Sequence, residues 1–174
     1  MTIKINSFII PNNTIKQMEY MLDKSLFTGK EHGFNLCLNK DKIIKPGKFC
    51  EGSKCSMDIS EFTCEENQKT IGIYHTHRNM SNPSMSDLST GYLVGMNCIG
   101  SPREIKCFRR KKDFDGKAFA DIKIVQTKEE QTKLDHSRWK NKEISIIEYS
   151  NIYSEYKKEV DRIIKDHFEE IKLR

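Results

Sequence analysis

Two histidines separated by one residue, His75 and His77, end a short apolar run, and Asp87 follows ten residues after the second. On a β-strand, residues two apart point to the same face, so this spacing places the two imidazoles side by side. Imidazole and carboxylate groups are common zinc ligands, and catalytic sites with three protein ligands leave a fourth position open for water. The pattern therefore predicts a zinc site formed by His75, His77 and Asp87.

Ser84 and Asp87 also fit a second pattern. A serine followed three residues later by an acid is the capping box of a helix N-terminus. Taken alone, the pair favours the cap over the metal ligand. The two interpretations are compatible, because an acid in a first helical turn is held ionised by the helix dipole and is then a ready ligand.

Together, the segments 75–77 (HTH) and 84–87 (SMSD) resemble the signature of the JAMM (MPN+) metalloprotease family, His-Ser/Thr-His-Pro followed by Ser-x-x-Asp. Two departures concern the loop between them. Arg78 stands in the place of the proline, and the loop to Ser84 is one residue shorter than in the family. These departures leave open whether Ser84 or Ser86 supplies the catalytic hydroxyl. Ser84 is preferred because it keeps the three-residue step to the aspartate.

The family signature also includes an upstream glutamate at the start of a strand that follows an amphipathic helix. The segment GKEHGFNLCL stands in that place, and Glu31 is its match. Without the histidines, Glu31 would be interpreted as a solvated acid before a strand.

The resemblance implies a fold, a reaction and a substrate. The fold is an α/β (α+β), cytidine-deaminase-like JAMM sandwich, a mixed β-sheet flanked by helices. The reaction is amide hydrolysis by water activated on Zn²⁺. Glu31 would take the proton of that water and pass it to the leaving amine, and Ser84 would donate a hydrogen bond to the oxyanion. The substrate is the peptide or isopeptide bond after the C-terminus of ubiquitin or a ubiquitin-like modifier, whose tail adds as a strand beside the site.

A second hypothesis is a JAMM-fold scaffold or partner-binding protein of minor catalytic importance. The complete set of glutamate, histidines, serine and aspartate argues against it, because inactive members of the family typically lose ligands. A third is a relative of the family's bacterial DNA-repair-associated branch, whose usual His-Asn-His-Pro-Ser-Gly string is absent.

Hydrophobic periodicity predicts the elements that must position these residues. In chain order they are a helix over 14–26, a hairpin within 29–50, strands over 70–75, 97–100, 104–109 and 118–126, and a helix from Ser84 or Ser86 to Met96. From about residue 127 the pattern predicts one long or two broken amphipathic helices. We therefore expect a catalytic domain over 1–126. A helical extension over 127–174 would pack on it or bind a protein partner.

Composition bounds the class of protein. The chain has 174 residues, 36% hydrophobic and 32% charged, which predicts a water-soluble protein with one core. It contains neither an apolar run of the roughly 20 residues that a membrane span requires nor a signal-peptide pattern, so a cytoplasmic location is expected. The net charge of +5 is spread along the chain. The cluster Arg109–Lys112 is followed by Asp113, which favours a solvated turn over a nucleic-acid surface.

Six cysteines lie at positions 37, 50, 55, 64, 98 and 107. The spacing of Cys50 and Cys55 does not fit a zinc finger, and no matching second pair follows. We expect isolated small hydrophobic side chains rather than disulfides or a second, structural metal site.

Overall fold

A computed structural model describes residues 2–5, 7–51, 64–79 and 82–174. Within these ranges the strands are β1 (Ile3–Ile5), β2 (Phe8–Ile10), β3 (His32–Leu38), β4 (Ile44–Glu51), β5 (Lys69–Thr76), β6 (Met96–Gly100), β7 (Ile105–Arg110) and β8 (Phe168–Lys172). The helices are α1 (Asn12–Thr28), α2 (Met85–Val94), α3 (Gly116–Lys140) and α4 (Ile146–His167).

The central sheet is mixed and has the order β4-β3-β5-β6-β7-β8, while β1 and β2 pair separately. Its neighbouring strands are antiparallel except for β5 and β6, which are parallel. A parallel pair needs a crossover connection, and α2 is the helix of that crossover. The end of β5 and the start of α2 therefore meet at one edge of the sheet, where ligands commonly bind in α/β folds.

Helices cover both faces of the sheet. On one face, α1 packs Met18 and Met21 against Phe34 and Tyr74. On the other, the core joins residues of α2, α3 and α4 to the sheet: Leu88, Ile122, Ile163, Ile99 and Phe108. Successive residues of β6 contribute to opposite faces, as the period of a strand requires. The predicted α+β class, a mixed sheet flanked by helices, is confirmed.

Local signals explain where the predicted helices begin and end. The helix predicted over 14–26 is α1, which ends at Gly29, a residue with φ of 70° whose N–H bonds the carbonyl of Ser25. Glycine adopts this left-handed conformation without a steric penalty, so it is the common residue after a helix. The helix predicted from Ser84 or Ser86 to Met96 is α2, with Ser84 as its N-cap. It ends earlier than predicted, at Val94, because Gly95 follows as the C-cap and Met96 begins β6.

The strand predicted over 118–126 is wrong, because these residues lie within α3. Asp115 caps this helix by accepting a hydrogen bond from the N–H of Lys117 at 3.0 Å. Its buried positions follow the helical spacing of three and four residues: Ile122, Val125, Glu129 and Thr132. The β-branched run near residue 124 suggested a strand, but the longer helical period determines the structure.

The C-terminal segment is helical as predicted, in two pieces, but α4 ends at His167 and the chain then forms β8. This strand pairs antiparallel with β7, with Cys107 opposite Ile171. The predicted boundary between residues 126 and 127 falls within α3. The segment that was predicted to be a helical extension thus also contributes a strand, β8, to the central sheet.

The prediction of isolated cysteines is wrong for four of the six. Cys37 forms a disulfide with Cys64, and Cys98 forms one with Cys107. Cys98 and Cys107 lie directly opposite each other on β6 and β7, a relation that depends on strand register and that sequence spacing does not reveal. Cys55 lies outside the described residues.

Among the helices of the described ranges, none has the length and apolar character that crossing a membrane would require.

Candidate metal centre

The two histidines project together from the end of β5. His75 lies within the strand, and the N–H of His77 bonds the carbonyl of Gly100 at 2.7 Å, which continues the pairing with β6 past the end of β5. The backbone thus keeps its extended path through both residues. Their rings lie on the same side with centroids 4.7 Å apart, as the spacing of two residues predicts.

Asp87 reaches the histidines from the first turn of α2. Its backbone N–H donates to Ser84 Oγ at 3.1 Å, and its Oδ2 accepts from the N–H and the hydroxyl of Ser84, both at 2.8 Å. This is a complete capping box. Asp87 Oδ1 lies 3.2 Å from Nε2 of His75. The predicted cap and the predicted convergence with the histidines therefore coexist in one side chain.

Three side chains form what we call the donor cluster: His75, His77 and Asp87. The two Nε2 atoms are 2.9 Å apart, and His77 Nε2 is 3.5 Å from Asp87 Oδ2. In a tetrahedral zinc site with bonds of about 2.0–2.1 Å, neighbouring donor atoms are about 3.3 Å apart. The contacts among these three side chains, which involve both oxygens of Asp87, are close to that separation, and the donor cluster could hold a metal ion.

The electrostatics of the donor cluster also favour a cation. Burial raises the pKa of Asp87, but hydrogen bonds and charge interactions with His75 and His77 outweigh burial and hold the pKa well below its usual value. The carboxylate is therefore ionised at neutral pH. With both Nε2 atoms deprotonated, three lone pairs would meet in this largely buried space, and a bound cation would offset their repulsion.

Gly33 makes room for the donor cluster from the neighbouring strand. It lies opposite His75 in the pairing of β3 with β5. A Cβ added at Gly33 would lie 2.5 Å from the carbonyl oxygen of Tyr74 and 3.2 Å from Cβ of His75. The sequence analysis did not single out Gly33, although a glycine inside an apolar strand signals a close approach of this kind.

Glu31 is exposed and lies one residue before β3. The pairing of β3 with β5 ends at Gly33 and His75, and the N–H of His32 then bonds Oγ1 of Thr76 at 2.9 Å. Glu31 therefore lies beside the end of β5 that carries the histidines. Its carboxylate is not among the atoms of the donor cluster, which lie within 4.8 Å of one another. Its role in proton transfer remains a prediction.

The structure distinguishes the two candidate serines. Ser84 is half-buried, and its hydroxyl donates to Asp87 at 2.8 Å. Ser86 is exposed on the surface of α2. Ser84 is therefore the serine that contacts the donor cluster.

A residue missed from the sequence, Glu129 of α3, fixes the start of α2 from the other side. Its Oε1 accepts a hydrogen bond from the N–H of Met85 at 3.1 Å and from the hydroxyl of Tyr156 at 2.9 Å. Glu129 is only 7% exposed. A glutamate at a core-facing position of a helical pattern was the available signal, because acids are rarely buried without partners.

No protein-family model matches the chain, and no curated protein matches it significantly. The function is therefore inferred from the residues of the site and from the sheet edge that carries them.

Proposed function

We propose that this protein is a zinc-dependent hydrolase of peptide or isopeptide bonds of the JAMM type. One observation carries the proposal: the Nε2 atoms of His75 and His77 lie 2.9 Å apart, and the two carboxylate oxygens of Asp87 lie 3.2 Å from the first and 3.5 Å from the second. Histidine and carboxylate donors suit zinc, and three protein ligands are typical of its catalytic sites. The β5–α2–β6 crossover, with helices on both faces of the sheet, supports a cytidine-deaminase-like fold.

The chain's own residues divide the chemistry among them. His75, His77 and Asp87 would hold the zinc ion, which supplies Lewis acidity for the activation of water and of the scissile carbonyl. Glu31 accepts the proton of the attacking water and delivers it to the leaving amine. Its exposed position one residue before β3, the strand that pairs with β5, supports this role.

Ser84 donates a hydrogen bond to the oxygen that becomes negative during the attack. Its single hydroxyl proton is engaged with Asp87 Oδ2, so this proton has to turn toward the substrate. The backbone N–H of Asp87, which donates to Ser84 Oγ at 3.1 Å, keeps the oxygen in place during that rotation. The Ser84 hydroxyl thus donates first to Asp87, as part of the helix cap, and then to the substrate oxygen during the reaction.

The substrate class follows from the family resemblance: the bond after the C-terminus of ubiquitin or a ubiquitin-like modifier. Strand β4 lies at the edge of the sheet beside β3, and an exposed edge is where an extended tail can add as a further strand. The alternative, a scaffold or partner-binding protein, stays a prediction from the sequence.

The cytoplasmic location also stays a prediction. Disulfides are rare in reducing compartments of most organisms. The pairs Cys37–Cys64 and Cys98–Cys107 therefore count against it.

Zinc content and the Glu31→Gln variant test the proposed function. We expect about one zinc per chain in the wild type and in Glu31→Gln, because Glu31 is not a ligand. Cleavage of a ubiquitin-like fusion should fall by about 10²–10⁴-fold in kcat, the contribution typical of a general base. Metal analysis and a gel-based cleavage assay measure the two quantities.

The matched control is Glu66→Gln, a change of another exposed glutamate that precedes a strand, and it should retain wild-type activity. Full activity in Glu31→Gln would remove Glu31 from its role. A wild-type protein that binds no zinc even when zinc is added would refute the proposed function.

A further inference from the structure

A cavity of about 430 Å³ opens directly beside the donor cluster. His77 and Ser84 line one end, and side chains of α3 and α4 form most of the remaining wall. We call it the α3–α4 cavity. Its volume is in the range of protein sites that hold small ligands or single side chains. His77 belongs to the donor cluster and Ser84 contacts it, so the cavity begins where the reaction would take place. A polypeptide with an amide bond at the donor cluster would therefore present its adjacent side chains to this cavity.

Aromatic rings of α4 line the cavity. Tyr149, Tyr153 and Tyr156 follow one another at intervals of four and three residues, so they occupy one face of the helix. The Tyr149 ring stacks on Trp139 of α3 with an interplanar angle of 6°. The Tyr156 hydroxyl is held by Glu129. The wall is thus pre-formed, which lowers the entropy cost of binding an apolar group.

The charged groups of the cavity neutralise one another. Lys157 lies 3.6 Å from Asp161, and Lys133 lies 3.5 Å from Glu129. Lys133 also lies 3.2 Å from Glu130. Besides these charged residues, His77 and His136 line the cavity, and Val160 and Ile164 complete the α4 wall. A charged ligand would compete with these existing pairs, whereas an apolar group would not.

We propose that the α3–α4 cavity is the specificity subsite of the enzyme, and that it binds an apolar side chain of the polypeptide substrate within two residues of the scissile bond. This inference rests on the proposed hydrolytic function. The aromatic rings supply the contact surface, and the shared residues His77 and Ser84 set the distance to the reacting bond. The two C-terminal helices therefore select the substrate.

A set of ubiquitin-like fusion substrates tests the proposal on the zinc-loaded full-length protein. Four positions are changed one at a time, the two residues before the scissile bond and the two after it. Each is changed to Ala, Leu, Phe, Lys or Glu. At one of these positions, Leu or Phe should give a kcat/KM at least about tenfold higher than Ala, Lys or Glu, the discrimination typical of an apolar pocket.

Tyr153→Ala then removes part of the aromatic wall. Tyr153 is 47% exposed, so its truncation leaves the core intact. We expect KM for the preferred substrate to rise about tenfold, with kcat and zinc content unchanged. KM for the matched Ala substrate should stay the same. The control is Tyr20→Ala, which removes a tyrosine that is 59% exposed on α1, across the sheet; it should change neither KM.

The outcomes separate the two proposals. If the zinc-loaded wild type cleaves none of the fusions, the proposed function fails, and the subsite fails with it. If the fusions are cleaved with no preference for an apolar residue, or with a preference for Lys, hydrolysis stands and the apolar subsite is rejected. Equal losses on the preferred and the Ala substrates in Tyr153→Ala also reject it.

Discussion

At the scale of single residues, Asp87 caps α2 and also approaches the two histidines, because a carboxylate has two oxygens. Oδ2 accepts both hydrogen bonds from Ser84, and Oδ1 faces His75. Each oxygen has two lone pairs, so cap and metal ligand need not compete. Sequence spacing predicted the cap and the approach of Asp87 to the histidines, since the cap is local and the two histidines are neighbours on one strand.

Ser84→Ala should separate cap from catalysis. The variant loses the capping hydroxyl, so the free energy of unfolding should fall by about 1 kcal/mol. It also loses the proposed oxyanion donor, so kcat should fall by about 10²–10³-fold. Zinc content should be unchanged. Denaturant unfolding, metal analysis and steady-state kinetics measure the three effects.

Ser145→Ala is the matched control for Ser84→Ala. Ser145 is the N-cap of α4, and its Oγ accepts from the N–H of Glu148 at 3.1 Å, as Ser84 Oγ accepts from the N–H of Asp87. Removing it should cost similar stability and leave kcat unchanged. Equal kinetic effects of the two substitutions would mean that Ser84 acts through folding alone.

Gly33→Ala should damage the donor cluster through sterics. The added methyl would lie 2.5 Å from the backbone oxygen of Tyr74, so strands β3 and β5 must move apart beside His75. We expect zinc affinity to fall at least tenfold and the free energy of unfolding to fall by about 1–3 kcal/mol. Zinc titration and denaturant unfolding measure these losses.

Gly116→Ala is the comparison for Gly33→Ala, because nothing lies within 4 Å of a Cβ added at Gly116. Its free energy of unfolding should stay within about 0.5 kcal/mol of wild type. Wild-type zinc affinity in Gly33→Ala would show that the close approach of β3 does not define the position of His75.

At the scale of elements, local signals located the strand end and the helix start that carry the donor cluster. Relations between distant elements could not be predicted from the sequence. Gly33 faces His75 only because β3 and β5 pair in one register, and Cys98 meets Cys107 for the same reason. Glu129 contacts Met85 across 44 residues of chain. Periodicity and capping patterns report neighbours along the chain, whereas these contacts depend on how the elements pack.

Glu129 should prove to be the contact that positions the first turn of α2. Glu129→Ala leaves the N–H of Met85 buried without its partner, which should lower the free energy of unfolding by about 1–3 kcal/mol. Zinc affinity should fall too, since Asp87 lies in the same helical turn. Glu129→Gln keeps a carbonyl oxygen and should restore most of both quantities, as measured by denaturant unfolding and zinc titration.

Glu130→Ala, a change of the exposed neighbouring glutamate, serves as the control for Glu129→Ala and should leave zinc affinity at the wild-type value. If Glu129→Ala binds zinc as tightly as wild type, α3 does not hold the start of α2 in place.

At the scale of the whole molecule, the C-terminal segment contributes to the main core. Ile163 and Phe168 are buried with Leu88 of α2. Two cations of the basic cluster also stabilise tertiary contacts. Arg109 Nε donates to Glu169 of β8 at 3.1 Å, and the Arg110 guanidinium lies 5.5 Å from the centre of the Tyr92 ring. The cluster was predicted to form a solvated turn, but its first two residues contact β8 and α2.

These contacts predict one cooperative unfolding transition for the chain. Trp139 is the only tryptophan, and it stacks on Tyr149 between α3 and α4, so its fluorescence reports the packing of the C-terminal helices. Circular dichroism reports the whole chain. Because α4 and β8 share their core with α2 and the sheet, we expect the two signals to have the same denaturant midpoint, the standard indication of two-state unfolding. A lower midpoint for Trp139 fluorescence would instead support two separate units, over 1–126 and 127–174, with the helices unfolding first.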